Sequence, residues 1–250
     1  MTALKWIGQP MIKGDVIERR FNLGRDAGIV PGILWTPTKQ DHPIPLVLMG
    51  HGGSGHKRAD RQLLLGQRFA GEYRIAAVAI DGPFHGDRVS MPLEPHQYLE
   101  RIAAVGVDKV TDGMVEDWHA TLDALSQLDV INASRIAYMG LSMGTRFGIP
   151  YVASTDSQLC CAVFGKNGMR APAELNMAPR FRQDAPKIAL PVLFHTQWDD
   201  ELFPRDGQFE LFDLLGTHDK RLIAFPGPHS AASPEAIQMW CEFIAYHLVG

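Results

Sequence analysis

The chain has 250 residues, enough for one large domain or two small ones, with 46% hydrophobic and 21% charged residues. That balance excludes a disordered chain, a collagen-like repeat and a small disulfide scaffold, and no apolar run approaches the roughly 20 residues of a membrane span. With 24 Lys+Arg against 28 Asp+Glu the formal net charge is -4, so no global basic field invites nucleic acid.

In chain order, Met1–Pro10 carries one Lys and no apolar core of a signal peptide. Met11–Phe21 and Gly28–Thr36 read as an antiparallel strand pair joined near Gly24–Gly28. Six short apolar runs follow, each ending in glycine, proline or a polar turn: Pro45–Met49, Ile75–Ile80, Arg135–Met139, Leu159–Phe164, Pro191–His195 and Leu222–Phe225. Continuous apolar runs of this kind suit strands buried on both faces of a parallel sheet. The amphipathic stretches Arg61–Tyr73, Met114–Leu128, Arg205–Leu215 and Pro234–Leu248 are predicted helices. The alternation predicts an α/β fold with helices on both faces of one sheet. Arg88–Gly113 and Gly168–Lys187 interrupt it, each rich in Pro, Met and charge. Both follow strand ends, where open α/β sheets carry ligand sites. They read as a small cap on a single domain spanning residues 1–250.

The three cysteines include an adjacent pair, Cys160 and Cys161, and no C-x-x-C. Free thiols in a reducing cytoplasm are the expectation.

Gly140-Leu141-Ser142-Met143-Gly144 stands between a predicted strand and a helical pattern. This is G-x-S-x-G, in which a strained turn lifts the serine above the sheet while the glycines let helix and strand approach. A serine hydroxyl needs a base, itself oriented by an acid. Asp200 follows the strand Pro191–His195, and His229 follows the strand ending at Phe225. All three therefore leave the same sheet edge in the order Ser, Asp, His. Activity is expected to rise with pH through the ordinary imidazole range, about 6.5, since the base must be neutral. Gly50-His51-Gly52-Gly53-Ser54-Gly55 follows the first parallel strand. Its backbone N–H of Gly53, with Gly52 as neighbour, and the N–H of Met143 are the candidate oxyanion donors. His51 reads as a prop for that loop.

Taken together, these motifs resemble the α/β-hydrolase superfamily, particularly dienelactone-hydrolase-like and acetyl-xylan-esterase-like serine esterases. The resemblance runs through the glycine loop, Asp81-Gly82-Pro83-Phe84-His85-Gly86-Asp87-Arg88, the elbow at Ser142, Asp200 to Pro204, and His229. It implies an eight-stranded, mostly parallel sheet, a Ser-His-Asp triad, and ester hydrolysis with no cofactor and no metal. It also favours Asp200 over Asp199 as the acid, since the family sets its acid four residues before a proline and Asp200-Glu201-Leu202-Phe203-Pro204 has that spacing. Strict dienelactone hydrolases carry a cysteine at the elbow. Ser142 stands there in this chain, which points to an ordinary carboxylesterase.

Other readings compete. Gly50-x-Gly52-x-x-Gly55 also spells a dinucleotide fingerprint, but Asp81 lies beyond the roughly 20-residue offset of the ribose-binding acid. That reading leaves Ser142, Asp200 and His229 without a role. A non-catalytic binding protein on the same fold is the second alternative. A metal site from His51, His56, Asp60, His85 and Asp87 has no familiar ligand spacing behind it. The substrate is expected to be a small-molecule ester with a short acyl group, acetyl to butyryl, because neither interruption is long enough for a lipase lid. Met91, Met114, Met169, Met177, Phe84, Phe181 and Trp198 are candidates for an apolar pocket. Arg88, Arg170, Arg180 and Arg182 are candidates for a carboxylate contact.

Overall fold

The computed structural model describes residues 4–155, 159–171 and 173–250. The chain opens with three antiparallel strands, β1 (Leu4–Lys13), β2 (Val16–Arg25) and β3 (Gly28–Pro37). It continues with β4 (Ile44–Gly50), α1 (Asp60–Gly71), β5 (Ala76–Ile80), α2 (Pro95–Val105), α3 (Val107–Leu125), β6 (Ile131–Gly140) and α4 (Met143–Ser154). The last part holds β7 (Leu159–Gly165), α5 (Ala178–Asp184), β8 (Val192–Gln197), α6 (Arg205–Leu214), β9 (Lys220–Phe225) and α7 (Pro234–Val249). Among the described residues, nine strands form one sheet in the order β1-β2-β3-β5-β4-β6-β7-β8-β9, parallel from β5 to β9. Among the described residues no helix is long and apolar enough to cross a membrane.

Alternate residues of the inner strands point to opposite faces, and each face has its own core. On one, Tyr138 and Phe164 pack with Trp118 of α3, Phe147 of α4 and Phe181 of α5. On the other, Ala137 and Met139 pack with Phe69 of α1 and Trp240 of α7. Helix starts follow local chemistry. Pro95 opens α2 behind a Glu94/Gln97 capping box, and Ser233 caps α7 by accepting the Ala236 N–H at 3.2 Å ahead of Pro234.

The sheet has nine strands, against the eight implied by the resemblance. The difference lies at the start, where Met11–Phe21, expected as one strand, is divided between β1 and β2. Gly14, with φ of 59°, turns the chain there, and Lys13 pairs with Val16 across a two-residue hairpin. β1 is an edge strand with seven of its ten residues exposed and none fully buried, so it carries little hydrophobic alternation to read. The interruption Arg88–Gly113 contains α2 and the first two turns of α3, which begins at Val107 rather than Met114. Gly106, with φ of 101°, separates the two helices. Gly168–Lys187 holds α5 between two short 3-10 turns, with Pro172 outside the described residues.

Register aligns the strand ends. Gly50 of β4 lies opposite Gly140 of β6, Gly165 of β7 opposite His195 of β8, and Gln197 of β8 opposite Phe225 of β9. The loops after these strands therefore leave from one edge, the place where open α/β sheets build sites.

Candidate active site

Ser142 sits between β6 and α4 with φ of 59° and ψ of -115°, a conformation a non-glycine residue rarely holds. The surroundings hold it there. The Ser142 N–H donates to the Gly165 carbonyl at 2.9 Å, and the Asn167 side-chain amide donates to the Ser142 carbonyl at 3.1 Å. The flanking glycines are needed for contact. A Cβ on Gly140 would stand 2.7 Å from the Gly144 backbone, and one on Gly144 would stand 2.7 Å from the Gly50 carbonyl oxygen. Strand β4, the elbow and the start of α4 are thus in backbone contact, which accounts for the spacing of the motif.

The three residues expected to work together are brought together. Ser142 Oγ lies 2.9 Å from His229 Nε2, and His229 Nδ1 lies 2.8 Å from Asp200 Oδ2. The Asp200 side chain is fully buried and that of His229 is 15% exposed. Asp200 Oδ1 accepts the N–H groups of Leu202 and Phe203 at 2.9 and 2.8 Å, so the turn itself fixes the carboxylate. Its neighbour Asp199 is exposed and accepts the Gly227 N–H at 3.0 Å rather than a histidine N–H. Two contacts steady the histidine loop: Glu201 Oε2 accepts the His229 N–H at 2.8 Å, and Lys166 Nζ donates to the His229 carbonyl at 3.0 Å and to that of Ala231.

Across the site runs the glycine loop after β4. Among the described residues no hydrogen bond takes up the N–H of Gly52, Gly53 or Met143. The loop's carbonyls, by contrast, are held. His51 is buried, and its Nε2 accepts the Gly82 N–H at 2.8 Å, so its proton is on Nδ1, which donates to the Gly52 carbonyl at 2.8 Å. Burial, helped by the neighbouring His85 ring, pushes the His51 pKa down to about 4 and keeps it neutral. His85 Nε2 lies 2.8 Å from the Gly53 carbonyl. With their carbonyls turned toward these two rings, the loop's peptides are fixed in direction.

A cavity of about 360 Å³ opens beside Ser142 and includes Gly52, Gly53, Met143 and His229 in its lining. Its apolar walls come from Tyr98 and Leu99 of α2, Leu175, Leu202 and Phe203. None of the seven Met, Phe and Trp residues expected to line a pocket contributes to this one. Met91 and Trp198 are exposed, while Met114, Met169, Met177 and Phe181 belong to the core and Phe84 packs against it. The four expected arginines are occupied elsewhere: Arg88 by Asp117 at 2.6 Å, Arg180 by Asp112 at 2.8 Å, Arg182 by Glu210 at 3.7 Å, and Arg170 by Asp206. The cations that do line the cavity are Arg61, Arg146 and Lys166. Lys166 and Asn167 directly follow β7, so the strand-end rule that found Asp200 and His229 points to them too. Among the described residues no group of three or more His, Cys, Asp or Glu is arranged to hold a metal ion.

No family model matches the sequence, and no curated protein matches it. Solved structures do. A cold-adapted esterase from an Arctic intertidal metagenomic library, in its PEG-bound complex, is 33% identical and superposes with a TM-score of 0.84, covering 98% of this chain and 99% of its own. An acetyl xylan esterase from Paenibacillus sp. R4 is similar in fold at 17% identity and a TM-score of 0.72, over 99% of this chain and 89% of that one. A putative dienelactone hydrolase from Klebsiella pneumoniae subsp. pneumoniae MGH 78578 is similar in fold at 19% identity and a TM-score of 0.75, over 94% and 98%. With a nine-stranded, mostly parallel sheet and a 33% identical esterase aligned over nearly its full length, this chain belongs to the α/β-hydrolase superfamily, among its esterases.

Proposed function

We propose that this carboxylic ester hydrolase acts on small to medium esters through an acyl-enzyme formed on Ser142. His229 Nε2 takes the hydroxyl proton as Ser142 Oγ attacks the ester carbonyl, and the oxyanion is received by the N–H groups of Gly53 and Met143, with Gly52 alongside. His229 then returns that proton to the departing alkoxide, which leaves as alcohol. Water repeats the sequence in reverse: it gives a proton to His229, attacks the acyl carbon and releases the carboxylic acid as Ser142 regains its proton. Asp200 holds the imidazole with its proton on Nδ1 and stabilises the imidazolium that forms.

One observation carries this reading: the hydrogen-bond chain Ser142 Oγ, His229 Nε2, His229 Nδ1, Asp200 Oδ2, with links of 2.9 and 2.8 Å beside an open cavity. Three unengaged backbone N–H groups at that cavity support the oxyanion assignment. The cavity is near the small end of ligand sites, which run from about 300 to 1,000 Å³, and that supports a short acyl group, acetyl to butyryl. Helix α2 and the segment around Leu175 act as a small cap over it. Three free cysteines, two of them buried, fit a cytoplasmic setting. No cofactor or nucleic acid enters the mechanism.

A fluorophosphonate probe tests the nucleophile. It is expected to label the wild type stoichiometrically at Ser142 and to leave Ser142→Ala unlabelled. Equal labelling of the variant would move the nucleophile elsewhere.

A further inference from the structure

The cavity beside Ser142 gathers positive charge without negative charge. Arg61, Arg146 and Lys166 line it, and no Asp or Glu does among the described residues. Lys166 is committed to two backbone carbonyls. Arg146 is not committed. It is 3% exposed, and neither its Nε nor its Nη2 has a hydrogen-bond partner. The Tyr98 hydroxyl and the Phe147 ring are its neighbours, with the guanidinium carbon 5.8 Å from the ring centre. No carboxylate opposes its burial, which lowers its pKa.

Such an arrangement is destabilising in the free protein. A guanidinium keeps its charge in proteins, and a charge removed from water without a partner is among the most unfavourable groups to bury. The contrast with Arg88 and Arg180, each partly buried and held by carboxylates, shows that the fold supplies partners even for guanidinium groups less buried than this one. Arg146 also sits one helical turn after Ser142, in the first turn of α4, with its N–H donating to the Ser142 carbonyl at 3.0 Å. Its side chain faces the cavity on the side of the sheet where α2 and α4 pack. The guanidinium fork presents paired donors that match a carboxylate.

We propose that Arg146 is a substrate-binding residue that pairs with a carboxylate carried by the ester, so that the preferred substrates are anionic esters such as half-esters of dicarboxylic acids. The proposal rests on ester hydrolysis at Ser142 and names the substrate class of that same site. The carboxylate can belong to the acyl part or to the alcohol part, and the same guanidinium chemistry serves both.

Matched substrate pairs at fixed ionic strength test it. Monoethyl succinate against ethyl butyrate varies charge on the acyl side, and 4-acetoxybenzoate against phenyl acetate varies it on the alcohol side. In at least one pair the anionic ester is expected to have the higher kcat/KM, by about 10- to 100-fold. Arg146→Gln is expected to collapse that ratio mainly through KM, and Arg146→Lys to restore part of it. A merely structural role would lower both members of a pair alike and leave the ratio unchanged. Equal or better turnover of the neutral member in both pairs overturns the proposal, as does a ratio unmoved by Arg146→Gln. A binding arm separates this failure from failure of the ester-hydrolase reading. In the Ser142→Ala background, monoethyl succinate or 4-acetoxybenzoate should raise Tm where its neutral counterpart does not, and adding Arg146→Gln should abolish the shift. If none of the four esters is turned over, the hydrolase reading fails and the Tm arm still decides for or against the anion site. If Arg146→Gln does not fold, the wild-type pair ratios and the Ser142→Ala shifts decide it: charge selectivity in both supports the proposal, and its absence overturns it.

Discussion

Two regions of the same sheet edge treat buried charge in opposite ways. Between the loops after β4 and β5, Lys57 and Asp81 are both buried and hold each other at 2.6 Å, while Asp87 meets Lys57 at 2.8 Å and Arg20 at 2.9 Å. Asp81 also accepts the N–H groups of Lys57 and Asp87, so its lone pairs are well used. After β6 and β7, Arg146 in the first turn of α4 and Lys166 just past the end of β7 are equally buried but face carbonyls or nothing. Charges in the first region close upon themselves and tie the glycine loop to the β5 end. In the second no carboxylate closes the set, and the Arg146 guanidinium remains available in a cavity beside a strained serine. Breaking the first region should therefore appear in stability, and breaking the second in turnover.

The largest effect is expected at the proposed acid. Asp200→Asn keeps an oxygen for the Leu202 and Phe203 N–H groups, so the turn survives. Its amide, however, would donate to His229 Nδ1 and drive the imidazole proton to Nε2, where it cannot accept from Ser142. A fall in kcat of about 10⁴, the scale of the same change in a serine protease, is expected with a near-normal denaturation midpoint. Asp199→Asn retains an acceptor for the Gly227 N–H and should keep its rate within about twofold, as an exposed polar change does. Steady-state kinetics on one short-chain ester compares the two. A severe loss in Asp199→Asn with a mild one in Asp200→Asn would reassign the acid.

Next in size is Asp81→Asn, which breaks the closed region. Lys57 would lose its buried partner and keep only the half-exposed Asp87. Stranding a buried charge typically costs about 3–5 kcal/mol, and the remaining partner puts the expectation near 3. Urea denaturation with an unchanged m-value measures it. Asp87→Asn, at a site 53% exposed, should cost less than about 1 kcal/mol. A full-strength loss of kcat in folded Asp81→Asn, with stability intact, would erase the distinction between the two regions.

The elements that were legible in the sequence are those fixed by a few adjacent residues. The elbow at Ser142, the Asp200 turn before Pro204 and the His229 loop each follow a short apolar strand, and close packing dictates the glycines around Ser142. The parallel strands were readable because burial on both faces demands continuous apolar runs. β1 was not, since an exposed edge strand needs no such run, and Gly14 alone marked its hairpin. The pocket wall was hidden for another reason. Whether an arginine is free or paired depends largely on long-range neighbours: Arg88 meets Asp117 and Arg180 meets Asp112, while Arg146 meets no carboxylate, and only Arg180 carries a local sign of pairing, Asp184 one helical turn on. Lys166 belongs to the same class. Its ligands are carbonyls more than sixty residues away.

That lysine also carries a pH signature. Burial, with Arg61 nearby, pushes the Lys166 pKa down to about 8, against 10.5 for a free lysine, although Asp200 and Glu201 pull the other way. The folded protein therefore binds this proton more weakly than the unfolded chain does. Below about pH 8 both states hold it and the full penalty of burying the charge is present. Between about 8 and 10.5 the folded state releases it first, so the contribution of Lys166 to stability becomes more favourable as pH rises, and above 10.5 the penalty is gone. Lys166→Met removes the titration. The stability difference, variant minus wild type, should fall by about 1–3 kcal/mol between pH 7.5 and pH 10.5, read from urea midpoints at the two values. Activity at pH 7.5 should drop by about tenfold, the scale of one charge-assisted hydrogen bond lost from the His229 loop. A variant with parallel stability at both pH values would show that this ammonium is solvated rather than held dry, and that the second region balances its charge after all.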